Sequence, residues 1–350
     1  MMSVNLLESA NKNGDSVILY GAGKYGRIAL KNIRSKYPKV CIRYFADDDL
    51  KRNNKDIEGI QVTSLNNAIA QCDEGRVIIV IANYYIKETI RKIERAGVDL
   101  SKVFFSNEIL IEPIDIMDIQ ERRIELSKVY DLLEDYESKL IYRTMVESRY
   151  TYNIDVLSRT CRDHQYFPTD IFQLGQDEIF VDGGAFDGDT IDEFLGMTEG
   201  RFQAIYAFEP DYQNFSRLSV KHQNADIKLF NMGLYSEDGV VSFSSGRGGS
   251  SVIEEEGVEK IEVCNFDALA DGSKDVSLIK MDIEGSELDA LKGMKETICR
   301  CRPKLAICIY HKFEDLWEIP LFIKELVPDY KLYIRNYTTY LDEIVLYAVV

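Results

Sequence analysis

The chain has 350 residues, 45% apolar and 29% charged, and its 42 Lys and Arg against 59 Asp and Glu give a formal net charge of −17. That length and balance suit a globular protein with two ordinary cores. The acidic excess sets aside DNA, RNA and anionic membranes as main partners, because binding a phosphate backbone relies on a basic surface that releases counterions.

Residues 1–15 hold no basic stretch followed by an apolar one, and the longest aliphatic run, residues 77–82, is too short to span a bilayer. A cytoplasmic chain without membrane insertion is expected. The seven cysteines form no C-x-x-C pair, which argues for reduced thiols rather than disulfides or a zinc site.

Residues 16–20 read as a strand that runs into Gly21-Ala22-Gly23-Lys24-Tyr25-Gly26 and then into a helical pattern. A G-x-G-x-x-G turn between strand and helix is the dinucleotide-binding arrangement. A second strand over residues 40–45 ends at Asp47-Asp48-Asp49, where such a unit places the acid that accepts from a ribose hydroxyl. Tyr25 stands where a P-loop needs Ser or Thr. Further strands near 59–62, 77–82 and 103–105, with helices near 65–71 and 85–96, complete a Rossmann-like α/β domain over residues 1–112. Gly21, Gly23, Gly26 and Asp47 are its candidate residues for a nucleotide, a nucleotide-sugar or NAD. Glycines serving only tight strand–helix packing would look the same.

Residues 113–165 alternate charged and long apolar residues, with Ile124, Val129, Leu132 and Leu133 at helical spacing, and are expected to form a helical connector. From residue 166 to 350, strands and helices alternate as in a parallel sheet. Residues 179–182 read as a buried strand, Gly183, Gly184 and Gly188 shape the turn after it, and an amphipathic helix follows. Further strands are expected over 204–208, 227–232, 276–280, 305–310, 330–334 and 345–349, the last one antiparallel. A hairpin with arms at 240–243 and 261–264 encloses the Gly/Ser-rich residues 244–251. Ser286 is expected to cap a helix, with Asp289 three residues on.

Three acids, Asp182, Glu209 and Asp282, fall at the C-terminal ends of three of these strands, the edge at which open α/β sheets bind ligands. Glu209 lies 27 positions after Asp182, a spacing that suits an acid holding a ribose diol.

The blocks Val181-Asp182-Gly183-Gly184-Ala185-Phe186-Asp187-Gly188-Asp189-Thr190, Ala207-Phe208-Glu209-Pro210 and Ile279-Lys280-Met281-Asp282-Ile283-Glu284-Gly285-Ser286-Glu287 occur in this order. Together with Leu291-Lys292-Gly293 and Arg302-Pro303 they resemble the class I S-adenosylmethionine-dependent methyltransferases, and more narrowly the FkbM family. The segment from Tyr310-His311-Lys312 to Pro320 looks like a branch of that family linked to glycan modification. The resemblance implies a seven-stranded methyltransferase sheet and transfer of a methyl group from S-adenosylmethionine to a hydroxyl of a saccharide or nucleotide-sugar. It assigns Asp182, Gly183, Gly184, Phe186, Gly188, Thr190, Glu209 and Asp282 to the cofactor, with Glu209 on the ribose, and puts Ser250-Ser251 near it.

A sugar hydroxyl is a weak acid, so transfer needs a base or a metal. His311, the one histidine of three at the ligand edge, is the candidate base; Asp282 as base, or Asp282 and Glu284 holding Mg²⁺, are the alternatives. His164 and His222 look structural or exposed. Two other readings stay open. One is an NAD-dependent sugar-modifying oxidoreductase using the N-terminal glycines. The other is a non-enzymatic cofactor-binding or assembly protein that keeps the fold. The sequence is compatible with a homo-oligomer.

Overall fold

The computed structural model describes residues 6–49, 52, 55–72, 77–83, 86–105, 116–151, 153–247, 250–253, 259–269 and 275–350. The chain divides into two units, one of residues 1–116 with 147–153 and one of residues 117–146 with 154–350.

The first unit is built on β1 (Ser16–Tyr20), β2 (Cys41–Ala46), β3 (Asp56–Ile57), β4 (Ile60–Thr63), β5 (Val77–Ile81) and β6 (Val103–Phe104), in the sheet order β3-β4-β2-β1-β5-β6. All pairs are parallel except β3 with β4. Val17, Ile18 and Leu19 are all buried, as an apolar run must be when helices cover both faces of a parallel sheet. The strand order reverses between β1 and β5, so the turn after β1 lies at the switch point where such sheets open a crevice. The helix Lys24–Lys36 starts there, burying Ala29, Leu30 and Ile33 at helical spacing. A Cβ on Gly26 would overlap the Gly21 carbonyl oxygen, so a glycine is required for the helix to lie against its own turn.

The second unit carries β7 (Ile179–Gly183), β8 (Ala204–Phe208), β9 (Ile227–Phe230), β10 (Gly233–Leu234), β11 (Gly239–Arg247), β12 (Ser250–Ile253), β13 (Glu259–Cys264), β14 (Leu278–Met281), β15 (Lys304–Cys308), β16 (Lys331–Asn336) and β17 (Ile344–Val349). Seven of them form the sheet β16-β17-β15-β14-β7-β8-β9, parallel apart from β17, which runs antiparallel to both neighbours. These are the seven strands expected, with the final one antiparallel. Every residue of β7 and β8 is buried, and Phe180 stacks on Phe194 of the following helix with ring centroids 4.9 Å apart.

The two expected hairpin arms pair antiparallel as β11 and β13, and two strands that the sequence did not reveal, β10 and β12, widen them into the four-stranded sheet β10-β13-β11-β12. Residues 248 and 249 lie outside the described set, as do the side chains of Ser250 and Ser251.

The helical stretch contains Ile116–Glu121, Arg123–Leu132, Tyr136–Thr151 and Leu157–Thr160. Val129 and Leu133 of the expected stripe are buried, together with Leu126, whereas Ile124 is exposed and lies off that face. Residues 117–146 pack within the second unit. Arg335 of β16 is buried and reaches Asp135 Oδ2 at 2.7 Å and Asp170 Oδ2 at 2.8 Å, and Tyr142 donates to the Leu316 carbonyl at 3.0 Å.

None of the seven cysteines is in a disulfide. Among the described residues, no helix is long and apolar enough to cross a membrane.

Candidate active site

The C-terminal edge of the seven-stranded sheet opens into a cavity of about 310 Å³ lined by the turn after β7, the ends of β8 and β14, and parts of the small sheet. After β7 the chain must turn sharply to enter the helix Asp189–Met197. Gly184 has φ +75°, and a Cβ there would overlap the Asp282 carbonyl oxygen, so the turns after β7 and β14 can touch only because this residue is glycine. Four residues of the lining, Tyr166, Phe186, Glu284 and Glu343, hold positive φ although none is glycine. Such backbone costs about 1–3 kcal/mol per residue and collects where a site requires it.

Beneath the cavity, Asp182 and Lys280 form an ion pair, Oδ1 to Nζ 3.0 Å, with side chains 0% and 2% exposed. The Lys280 ammonium also donates to the carbonyls of Gly183 at 3.2 Å and Gly184 at 2.7 Å, and lies 5.0 Å from the centre of the Tyr166 ring. Burial works against its charge, but Asp182 and Asp282 outweigh that and raise its pKa. Lys280 lines the cavity and Asp182 stands behind it.

Glu209, at the end of β8, accepts from the Phe186 N–H at 2.9 Å through Oε2 and from the Asp211 N–H at 2.9 Å through Oε1. Burial pushes its carboxyl up to about 7, against those two backbone donors. Each oxygen keeps a lone pair for a further donor. Thr190 lies in the first turn of the helix that Gly188 begins, and Gly188, at φ +89°, packs on His222, whose Nε2 is 3.3 Å from the Gly188 carbonyl oxygen.

After β14, Asp282 Oδ2 accepts from the Tyr166 hydroxyl at 2.8 Å and Oδ1 from the Tyr310 hydroxyl at 3.2 Å. Burial opposes ionisation of Asp282, but the His311 and Lys280 charges and these two hydroxyls hold the carboxyl below its usual range. His311, 4% exposed, sits behind it, with Nε2 3.4 Å from both Asp282 Oδ1 and Glu284 Oε2 and Nδ1 3.0 Å from Glu287 Oε1. Burial disfavours a charged imidazole, yet the Glu287, Asp282 and Glu284 carboxylates outweigh it and raise His311 to about 9. Ser286 begins the helix Glu287–Lys292 without the expected side-chain cap; the Glu287 carboxylate instead reaches back to the Ile283 N–H at 2.9 Å. Glu343, bonded to Gln165 Nε2, completes this wall, and burial with the nearby Asp282 charge raises its pKa.

Of the residues singled out in the sequence, Gly184, Phe186, Thr190, Glu209, Asp282 and Glu284 line the cavity, while Asp182, Gly183, Gly188 and His311 support it from behind. Sequence reasoning missed Tyr166, Lys280, Glu287, Tyr310 and Glu343. Only Lys280 carried a signal, as a lysine inside a central apolar strand, a place where lysine is almost never buried unless paired.

In the first unit, Asp47 Oδ2 accepts from the Ala22 N–H at 2.7 Å and from Arg52 Nη1 at 3.1 Å. Asp48 takes the Tyr20 hydroxyl at 2.8 Å and Lys92 Nζ at 2.6 Å. A Cβ on Gly23 would come within 3.2 Å of Arg52 Nη1. Asp47, the acid expected to meet a ribose, is thus engaged by the glycine turn and by an arginine of the same domain.

The strand order, with one antiparallel strand inserted next to the fifth, and a cavity flanked by acids after the first, second and fourth strands define the class I methyltransferase fold. Within that class, residues 182–338 match the Methyltransferase FkbM domain, about 45% of the chain. The crystal structure of a methyltransferase FkbM from Methylobacillus flagellatus is similar over 99% of this chain and 93% of its own, with a TM-score of 0.69 at 21% identity. The hexuronic acid methyltransferase AglP of Haloferax volcanii is 30% identical over 101 residues, 27% of this chain and 42% of that protein. The match therefore spans about two fifths of that relative's length.

Proposed function

We propose that the protein transfers the methyl group of S-adenosylmethionine to a hydroxyl of a saccharide or nucleotide-sugar, with residues 166–350 as the catalytic domain, 113–165 as a helical connector and 1–112 as a separate Rossmann-like module. The observation that carries this reading is one cavity whose lining brings together the Asp282 carboxylate, Glu209 and the Gly184 turn. The likeness to a hexuronic acid methyltransferase supports a sugar acceptor.

In this reading Glu209 accepts from the ribose hydroxyls, Gly184 lets the backbone approach the methionine end, and Phe186 and Thr190 wall the nucleoside. Lys280 and Asp182 hold the turn in shape. Transfer breaks the S–CH₃ bond and forms the O–CH₃ bond in line, leaving S-adenosylhomocysteine and a proton to be removed. Asp282 faces the cavity and is ionised, so it accepts the hydroxyl's hydrogen bond and then its proton, which passes on to solvent. His311 lies behind Asp282 and acts through it rather than on the hydroxyl directly. Gly21, Gly23, Gly26 and Asp47 would hold the nucleotide part of a donor or acceptor in the first module.

The test is calorimetric titration of the full chain with S-adenosylmethionine, repeated on Glu209→Ala, followed by methyl transfer to a series of sugars and nucleotide-sugars. Saturable binding that is lost in the variant, then a methylated product, is the expected result. A folded wild type that binds no S-adenosylmethionine would overturn the reading.

A further inference from the structure

Behind the cavity wall, where β14 and β15 end, Asp282, Glu287 and His311 each offer one ligand atom, and these atoms lie within 4.8 Å of one another. Two of the three side chains are sealed, His311 at 4% exposure and Glu287 at 0%. They meet as ion pairs without an aligned hydrogen bond, the shortest contact being 3.0 Å from His311 Nδ1 to Glu287 Oε1. Both ring nitrogens of His311 and Glu287 Oε2 are buried without an aligned hydrogen-bond partner. Native interiors rarely leave such atoms unsatisfied, and three of them in one spot point to a group they share.

We propose that Asp282, Glu287 and His311 bind a divalent first-row transition-metal ion, with Glu284 as a further carboxylate on the cavity side. An imidazole among carboxylates suits Mn²⁺, Fe²⁺ or Zn²⁺, whereas Mg²⁺ prefers an all-oxygen, largely hydrated shell. The site differs in this respect from a Mg²⁺ site on Asp282 and Glu284 alone. Glu284 Oε2 and Asp282 Oδ1 both lie 3.4 Å from His311 Nε2 and both residues line the cavity, so the ion borders the space in which an acceptor would lie. If the methyltransferase reading holds, the ion acts as a Lewis acid that lowers the pKa of the acceptor hydroxyl and orients it. Metal binding itself does not depend on that reading.

The experiment uses the full chain stripped with a chelator and titrated with MnCl₂ by calorimetry and electron paramagnetic resonance. S-adenosylmethionine titration and thermal melting are run alongside. The expected result is one Mn²⁺ per chain with a nitrogen coupling from an imidazole. His311→Ala should remove that coupling, and His311→Ala and Glu287→Gln should each weaken Mn²⁺ binding by about tenfold or more. Should either variant fail to fold, the nitrogen coupling in the wild type decides alone. No Mn²⁺ bound by the folded wild type, or binding without nitrogen coupling and unchanged in His311→Ala, would overturn the proposal. Loss of S-adenosylmethionine binding by the wild type with Mn²⁺ binding intact would strike the methyltransferase reading and leave the metal site standing.

Discussion

Asp182 and Lys280 stand opposite one another in the parallel register of β7 and β14, and their side chains meet at 3.0 Å in a space closed to solvent. Removing one partner strands the other's charge, which costs about 3–5 kcal/mol in a buried pair. Lys280→Met should therefore lower the stability of the second unit by that order, and Asp182→Asn likewise. The double variant should lose clearly less than the sum of the two, because neither charge is then stranded. Urea denaturation followed by circular dichroism measures this; additive losses would mean the pair is not coupled.

With Glu209 on the ribose, as proposed, a pH dependence of S-adenosylmethionine binding follows. The Glu209 carboxyl sits at about 7 in the free protein, and only the ionised form accepts hydrogen bonds at both oxygens from a ribose diol. Affinity for S-adenosylmethionine should rise by up to tenfold per pH unit below about 7 and level off above it. Glu209→Gln should flatten that slope and weaken binding by roughly 10–100-fold, the worth of one charge-assisted hydrogen bond. The same raised pKa makes Glu209 a stability cost that grows from pH 4.5 to 7 as its burial resists ionisation. Calorimetry at half-unit pH steps on both proteins is the check, and a pH-independent wild type would rule out Glu209 as the titrating group.

Two glycines should respond to alanine in opposite directions. Gly184 needs positive φ and has no room for a Cβ, so Gly184→Ala should push the turns after β7 and β14 apart and abolish cofactor binding. Gly196 lies in the helix Asp189–Met197, is exposed and has nothing within 4 Å of a Cβ. Gly196→Ala should stabilise the protein by about 0.5–1 kcal/mol and leave binding unchanged. Thermal melts and S-adenosylmethionine titration on the two variants separate these outcomes.

Arg335 joins Asp135, Asp170 and the Ser138 hydroxyl through a guanidinium that is buried. Arg335→Lys keeps the charge but not the fork, so it should still destabilise the second unit, and Arg335→Met should do so by about 3–5 kcal/mol. Equal stability of wild type and Arg335→Lys would show that charge alone suffices.

The strands were legible because their apolar runs end abruptly in glycines and acids, and Asp182, Glu209 and Asp282 could be placed at one edge by counting strands. What could not be read was anything fixed by pairing across the sheet. Lys280 became the partner of Asp182 only through the register of β7 with β14, and Tyr166 and Tyr310 reach Asp282 from segments 116 and 28 residues away. The exposure of Ile124 has the same origin. Periodicity marks an amphipathic helix but does not say which side its neighbours cover. Ser286 was read as a cap from local spacing, whereas the backbone N–H actually satisfied belongs to Ile283 and the carboxylate to Glu287. The cavity lining also shows why Gly183 and Gly184, adjacent in sequence, are not equivalent: only the second faces open space.

Tyr166, Phe186, Glu284 and Glu343 give the cavity rim a shape that relaxed backbone would not adopt. An effort to raise heat resistance by placing glycine or asparagine at Phe186, Glu284 and Glu343 would find easy gains, since each substitution relieves local strain, whereas at the buried Tyr166 the lost packing would outweigh that relief. Those gains would come out of the aperture itself. Selection for thermal tolerance and selection for turnover should therefore diverge at these positions, and the fully optimised scaffold would be a sturdier protein with a site of the wrong shape.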